Sequence, residues 1–218
     1  MLLPGDPGRA LALAQELLDE PRMFNHNRGL WGYTGSAADG EPLTIQSTGM
    51  GGPSAAIVFE ELIALGVTRA IRVGTAGAFD GALGLGDLLI AERAICADGT
   101  SRSLGAGGGV DADQGLAAAL RRCAPQAASG TIVSSDLFYE VGEPRFEQWR
   151  AQGARAVEME AAALFALGAL RGVAVGCALA ITDQLSGPRE RIDASALHAV
   201  GLALGRVAAA ALGATAPV

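Results

Sequence analysis

Short apolar runs alternate along the chain with longer segments whose apolar residues recur at helical spacing. The short runs predict strands over Leu43–Ser47, Arg69–Val73, Leu88–Ala94, Gly130–Ser134 and Val173–Ile181. The longer segments predict helices over Arg9–Leu18, Ser54–Leu65, Asp113–Arg122, Pro144–Gln152, Ala161–Leu170 and Ala194–Leu212. Such alternation points to an α/β fold with helices covering a parallel or mixed sheet. The run "SLGAGGGVDADQG" is low in complexity and reads as a surface loop. No linker or internal repeat divides the pattern, so residues 1–218 read as a single domain.

Composition narrows the function classes. Half of the 218 residues are hydrophobic and 18% are charged, which suits a buried core rather than disorder. No apolar run reaches the roughly 18 residues that would suggest a membrane span. The start, "MLLPGDPGRA", lacks the basic and apolar regions of a secretory leader. Cys96, Cys123 and Cys177 are widely spaced and read as reduced thiols of a cytoplasmic protein. A net charge of −7 disfavours nucleic acid or an anionic membrane as partner. All 16 basic residues are arginines, which removes lysine Schiff bases and Walker lysines. His26 and His198 are the two histidines, and no H-E-x-x-H or C-x-x-C occurs, so no metal site is expected. His198 reads as a residue of the last helix, while His26 sits on the polar loop "FNHNRGL".

Three glycine-rich segments flank the apolar runs. In "LPGDPGRA", Asp6 can cap a helix that opens at Pro7, with Arg9 beside the free amides of its first turn. That arrangement suits an anion, or is an ordinary capped helix with a surface arginine. "STGMGGPSAAIVFEEL" lets the backbone approach a ligand closely before Pro53 opens a helix, but matches neither dinucleotide nor P-loop fingerprints. In "RAIRVGTAGAFDG", Arg72 falls near a strand end, ahead of Gly74, Thr75 and Gly77. A guanidinium fork and a hydroxyl there could grip phosphate, or Arg72 could pair with a carboxylate for structural reasons.

"AVEMEAAALFALGAL" places Glu158 and Glu160 on the front of a core-like segment. Residues two apart share one side of an extended chain and lie on nearly opposite sides of a helix. Neither arrangement brackets a glycosidic bond. Two acids in the first turn of a helix, favoured by its dipole, are the plain alternative.

"PGDPGRA", "NRGLWGYTG", "STGMGGPS", "IRVGTAGA", "SSDLFY" and "VEMEAA" occur in that order between about Leu3 and Asp183. Together they resemble the trimeric and hexameric nucleoside phosphorylases, a family containing purine nucleoside phosphorylase and uridine phosphorylase. The resemblance implies a three-layer α/β/α sandwich with a mixed central sheet. It implies cleavage of a (deoxy)ribonucleoside by inorganic phosphate, a co-substrate rather than a cofactor, to a free base and a pentose 1-phosphate. Gly5, Arg9, Arg28, Arg72 and Thr75 would bind phosphate, Arg28 reaching the site of a neighbouring subunit in a homo-oligomer, expected as a hexamer built from dimers. Met50, Glu158, Met159 and Glu160 would bind ribose, and Phe138, Gly77 and Asp183 the base. Arg72 and Asp183 would be catalytic, Asp183 as proton donor to purine N7, with Arg189 or Arg191 assisting. Asp183 favours purine; a uridine site, for which Arg145 and Glu143 would have to serve, and 5′-methylthioadenosine remain alternatives. Less favoured are a water-using nucleosidase, which would not keep the phosphate arginines, and a non-catalytic nucleoside-binding protein. Family members place an N-terminal histidine on the ribose 5′-hydroxyl; here a shortened start, His26 or water would account for its absence.

Overall fold

The computed structural model describes residues 1–139, 143–186 and 189–213. In chain order the elements are β1 (Leu2–Leu3), α1 (Pro7–Leu17), β2 (Asp19–Asn25), β3 (Gly32–Ser36), β4 (Pro42–Gln46), α2 (Gly52–Ala64), β5 (Arg69–Ala78), β6 (Leu88–Ala97), α3 (Gly99–Ser103), β7 (Gly109–Asp111), α4 (Gln114–Cys123), β8 (Ala128–Ser135), α5 (Glu143–Ala151), β9 (Ala154–Glu158), α6 (Ala161–Arg171), β10 (Ala174–Gln184), β11 (Glu190–Arg191) and α7 (Ala194–Gly213). A 3₁₀ turn covers Asn27–Gly29.

The strands form one mixed sheet, ordered β11-β10-β6-β8-β9-β5-β1-β4-β3-β2, with β7 on β6. β10 also pairs with β5, so β10, β6, β8, β9 and β5 close into a ring. The α/β class and the mixed sheet agree with the sequence pattern; the ring adds curvature that the pattern does not encode. β5 and β10 run parallel with Arg72 opposite Cys177, Thr75 opposite Ala180 and Gly77 opposite Asp183. β9 runs antiparallel to β5 with Val157 opposite Gly77. Register alone therefore brings Gly77, Val157 and Asp183 together. A bulge between Ile181 and Asp183 turns the end of β10.

Two large apolar clusters and a smaller one around Phe79, Phe146 and Trp149 cover the sheet. One large cluster joins α2 and α6 to strand residues such as Ala76, Leu89 and Leu179. The other large cluster joins α1, α4 and α7 to Ile45, Val73 and Ala178. α7 is long and apolar enough to cross a membrane by length and composition. Its apolar residues are interrupted by Ser195, His198 and Arg206, so it escapes a search for uninterrupted runs. It packs on α1, α4, β5 and β10.

The predicted elements recur with shifted ends, and one shift matters. β5 does not stop at Val73 but runs through the glycine-rich segment to Ala78. The expected turn is strand because it pairs with β10 and β9, and its glycines sit where side chains have no room. A Cβ on Gly74 would lie 2.7 Å from Arg72 Cζ, and one on Gly77 2.7 Å from Leu185 Cδ1. Within "SLGAGGGVDADQG", residues 109–111 form β7 rather than loop, paired antiparallel with β6.

Candidate active site

Asp6 caps α1, accepting a hydrogen bond from the Arg9 backbone N–H at 2.7 Å, with Pro7 opening the helix. The segment before it is pinned to the end of β4. Gly49 N–H donates to the Gly5 carbonyl at 3.0 Å, and the Ser47 hydroxyl donates to the same oxygen at 2.7 Å. These two glycine-rich loops, the end of β5, the β9–α6 junction and the end of β10 line a cavity of about 800 Å³. Gly5, Arg9, Arg28, Met50, Arg72, Thr75, Gly77, Phe138, Glu158, Met159, Glu160 and Asp183 all border it. Residues picked out from separate motifs thus share one recess.

Arg72 organises its floor. It is 3% exposed. Its Nε donates to Glu158 Oε2 at 2.8 Å, and its Nη2 lies 2.5 Å from Glu160 Oε2. Burial alone would lower its pKa, but Glu160 and Glu158 outweigh that and hold the guanidinium above its ordinary value. Its Nη1 is a buried donor without a hydrogen-bond partner among the described residues. A Cβ on Gly5 would lie 4.0 Å from that atom, which places Nη1 beside the first loop. An unpaired buried N–H costs about 1–3 kcal/mol unless a ligand accepts from it. Arg72 thus pairs with carboxylates through two edges, as its structural reading had it, and keeps a third edge beside the first loop.

Arg9 adds positive charge nearby. Burial lowers its pKa, Asp6 opposes that, and repulsion from Arg72 lowers it further. Two arginines close enough to repel one another favour an anion between them. Arg28 is exposed on the 3₁₀ turn at φ 57°, the left-handed region that non-glycine residues rarely occupy. Such strain is uncommon and clusters at ligand sites.

Glu158 has a different task from the ribose contact suggested by its motif. Its side chain has no exposed surface. Oε1 accepts from the Ser134 hydroxyl and the Ala161 N–H, and Oε2 accepts from Arg72 and the Glu160 N–H at 2.8 Å. It ends β9, caps the first amides of α6 and neutralises Arg72, which leaves no face for a sugar. It is also not in the helix's first turn, as the plain alternative had it. Glu160, the residue before α6, accepts from Gly51 N–H at 2.5 Å and is paired with Arg72. Gly51 has φ 84°, a conformation that aims its amide at Glu160 and suits glycine. Burial raises the Glu160 pKa, Arg72 lowers it and Glu158 raises it again; the net direction is up. Each of its oxygens keeps a lone pair for a further donor. Met159 and the 85% exposed Met50 line its approach.

At the far end of the cavity, Asp183 is 8% exposed. Arg189 Nε and Nη2 donate to Oδ1 at 2.9 and 2.7 Å, and Arg191 Nε lies 3.0 Å from the same oxygen. The Thr182 hydroxyl donates to Oδ2 at 3.0 Å. The Arg189 guanidinium also lies 5.0 Å above the Phe138 ring. Both arginines considered in sequence as helpers of Asp183 therefore engage it. His26 and Arg145 are exposed and border no part of the cavity; the side chain of Glu143 lies outside the described residues. Sequence reading did not single out Ser134, which holds Glu158 and also accepts the Ala162 N–H at 2.8 Å. Its signal was its place in "SSDLFY". Among the described residues, no group of three or more His, Cys, Asp or Glu could hold a metal.

The model of the phosphorylase superfamily matches residues 1–213. The chain belongs to the phosphorylase superfamily. It is 36% identical over 194 residues to a purine nucleoside phosphorylase DeoD-type from Clostridium novyi, covering 85% of this chain and 82% of that one. It is 35% identical over 189 residues to a guanosine phosphorylase from Halorubrum lacusprofundi, covering 84% and 78%. It is 34% identical over 217 residues to a uridine phosphorylase from Treponema pallidum, covering 91% and 82%. Within this phosphorylase-superfamily cavity, the separation of a multiply bonded Glu158 from an approachable Glu160 has a direct consequence. Glu158→Ala leaves Arg72 short of one buried counter-charge, and should lower stability by about 3 kcal/mol or more in urea unfolding. A loss below about 1 kcal/mol would contradict the structural task given to Glu158.

Proposed function

We propose that the chain is a nucleoside phosphorylase acting on purine (deoxy)ribonucleosides, giving the free base and a pentose 1-phosphate. The observation that carries this reading is the buried, unpartnered Nη1 of Arg72 beside Arg9 and the Gly5 loop. A dianion there would accept from Arg72, Arg9, the Thr75 hydroxyl and the backbone at Gly5. Water alone would leave Arg9 and the Nη1 edge of Arg72 without an anionic acceptor, which supports phosphorolysis over hydrolysis.

Glycosidic cleavage passes through an oxocarbenium-like transition state. In the proposed reaction a phosphate oxygen forms a bond to C1′ as the C1′–N9 bond breaks. The bonding electrons leave with the purine, and N7 takes a proton from Asp183. Phosphate charge beneath the sugar stabilises the cation as it develops, and fixed placement of the two reactants supplies much of the rate. Glu160 accepts the hydrogens of the 2′- and 3′-hydroxyls, with Met50 and Met159 against the ring. Phe138 and the Gly77 backbone bound the base. Among the described residues, Oδ1 of Asp183 holds both arginines and Oδ2 meets the Thr182 hydroxyl, so the proposed transfer to N7 runs through Oδ2. The arginines then stabilise the carboxylate formed by transfer.

The pyrimidine alternative would draw on Arg145, which borders no part of the cavity. Arg28 is exposed and borders the cavity. That suits a side chain shared with a neighbouring subunit of a homo-oligomer, proposed as a hexamer built from dimers. Nucleoside salvage in the cytoplasm is the proposed setting.

Inosine, adenosine, guanosine, uridine and 5′-methylthioadenosine should be incubated with the protein with and without phosphate, and base release followed. Phosphate-dependent release from a purine nucleoside is expected. Equal release without phosphate would replace the reading by hydrolysis, and no release from any of the five would remove the activity. Asp183→Asn should slow purine nucleoside cleavage at least about a hundredfold. A near-normal rate would take Asp183 out of the proton-donor role.

A further inference from the structure

We propose that Asp136 is a positioning residue that couples the base platform of the site to its sugar-binding carboxylate through the start of α3. The inference rests on the nucleoside phosphorylase reading and adds to it a residue that touches neither substrate.

The end of β8 and the residue after it divide three tasks. Ser134 donates to Glu158, the partner of Arg72. The Ser135 hydroxyl accepts the Leu137 N–H at 3.3 Å and turns the chain. Asp136 Oδ2 accepts the Gly99 N–H at 2.7 Å, 37 residues away in sequence. β6 and β8 run parallel with Cys96 opposite Ser134 and Ala97 opposite Ser135, so the two chains leave the sheet side by side. Asp136 ties them together at that point. The next two residues, Leu137 and Phe138, border the cavity, and Asp136 does not.

The start of α3 carries the contact onward. Asp98 is fully buried, and its carboxylate accepts from the Ser101 N–H at 2.7 Å and from the Ser101 hydroxyl. That cap makes residues 98–101 one unit. Thr100 is packed on Gly52: a Cβ on that glycine would lie 2.8 Å from Thr100 Cβ and 3.3 Å from Asp98 Oδ2. In an interior packed so closely, Gly52 cannot move toward α3 unless Thr100 moves too. Gly51, the residue before it, donates its N–H to Glu160 Oε1 at 2.5 Å. A displacement of residues 98–101 therefore reaches the amide that holds Glu160.

The contacts form one continuous path from Phe138, assigned above to the base, to Glu160, assigned above to the ribose hydroxyls. Asp136 fastens its base end and Thr100 its sugar end. Spatial continuity becomes coupling only where cutting the path at two points has one effect, which a double-mutant cycle measures. A bond that served the loop alone would leave sugar binding untouched.

The test compares inosine phosphorolysis and calorimetric phosphate binding in the unaltered protein, Asp136→Ala, Asp136→Asn, Thr100→Gly and the Asp136→Ala, Thr100→Gly double variant. Asp136 is exposed, so its replacement leaves the core intact. Asp136→Ala should raise the KM for inosine about fivefold, with phosphate affinity kept within about twofold. Asp136→Asn retains an oxygen that can accept from Gly99, and should recover most of the loss. Thr100→Gly should raise the inosine KM as well, and the double variant should lose no more than the worse of the two. Losses that add in full, an inosine KM unchanged in Asp136→Ala, no recovery in Asp136→Asn, or a matching fall in phosphate affinity would each overturn the assignment while leaving phosphorolysis intact. Turnover of uridine in place of inosine would overturn the purine reading, and the same cycle run with uridine would still decide the role of Asp136. Absence of phosphate-dependent turnover of any nucleoside by the unaltered protein would overturn the phosphorylase reading and the assignment with it.

Discussion

The buried cluster of Arg72 with Glu158 and Glu160 is the constraint on which the rest of the site depends. Taking three charges out of water is costly, and the cost is offset only where each is multiply bonded. Glu158 meets that condition with Ser134, two backbone amides and Arg72. Glu160 meets it with Gly51 and Arg72. In satisfying one another these groups fasten β5, β9, the start of α6 and the start of α2. Arg72 is held on two edges with its third turned to the cavity. A guanidinium fixed in this way need not be ordered when an anion arrives, which is the sense in which such a site is preorganised.

The sheet delivers these groups by register. Parallel pairing of β5 with β10 and antiparallel pairing of β5 with β9 set Gly77 between Val157 and Asp183. The closed ring of strands gives the cavity two ends: the Arg72 cluster at one and Asp183 with its arginines at the other. Glycines on β5 make room for both. Gly74 clears the Arg72 guanidinium, and Gly77 clears Leu185. The cavity sets Arg9, Arg28, Arg72 and Arg189 against Asp6, Glu158, Glu160 and Asp183, so the local arrangement of charges, not the net charge of −7, sets the field at the site.

Much of this was legible in sequence, for reasons that differ by element. Strands such as β5, β8 and β10 are apolar enough to announce themselves, and Asp6-Pro7 marks the start of α1. β9 was missed although Ala154, Ala156 and Glu158 alternate inward, because its buried positions are alanine and glutamate rather than β-branched or aromatic. β2 was missed because it lies at the sheet edge, with Asp19–Phe24 exposed and no alternation to detect. The candidate site was legible as a set of motifs. The division of labour between Glu158 and Glu160 was not, since it depends on a change from strand to helix between them. Nor was the placement of Arg189 over Phe138, which depends on a bulge and a two-residue strand.

Binding of inorganic phosphate by calorimetry, in the wild-type protein and in Arg72→Lys, tests the central arrangement most directly. Lysine keeps the charge but has no planar fork to hold two carboxylates and present a third edge. The wild-type protein should bind phosphate, and Arg72→Lys, with its circular dichroism unchanged, should bind it at least about tenfold more weakly. Phosphate affinity equal in the two proteins would contradict the account.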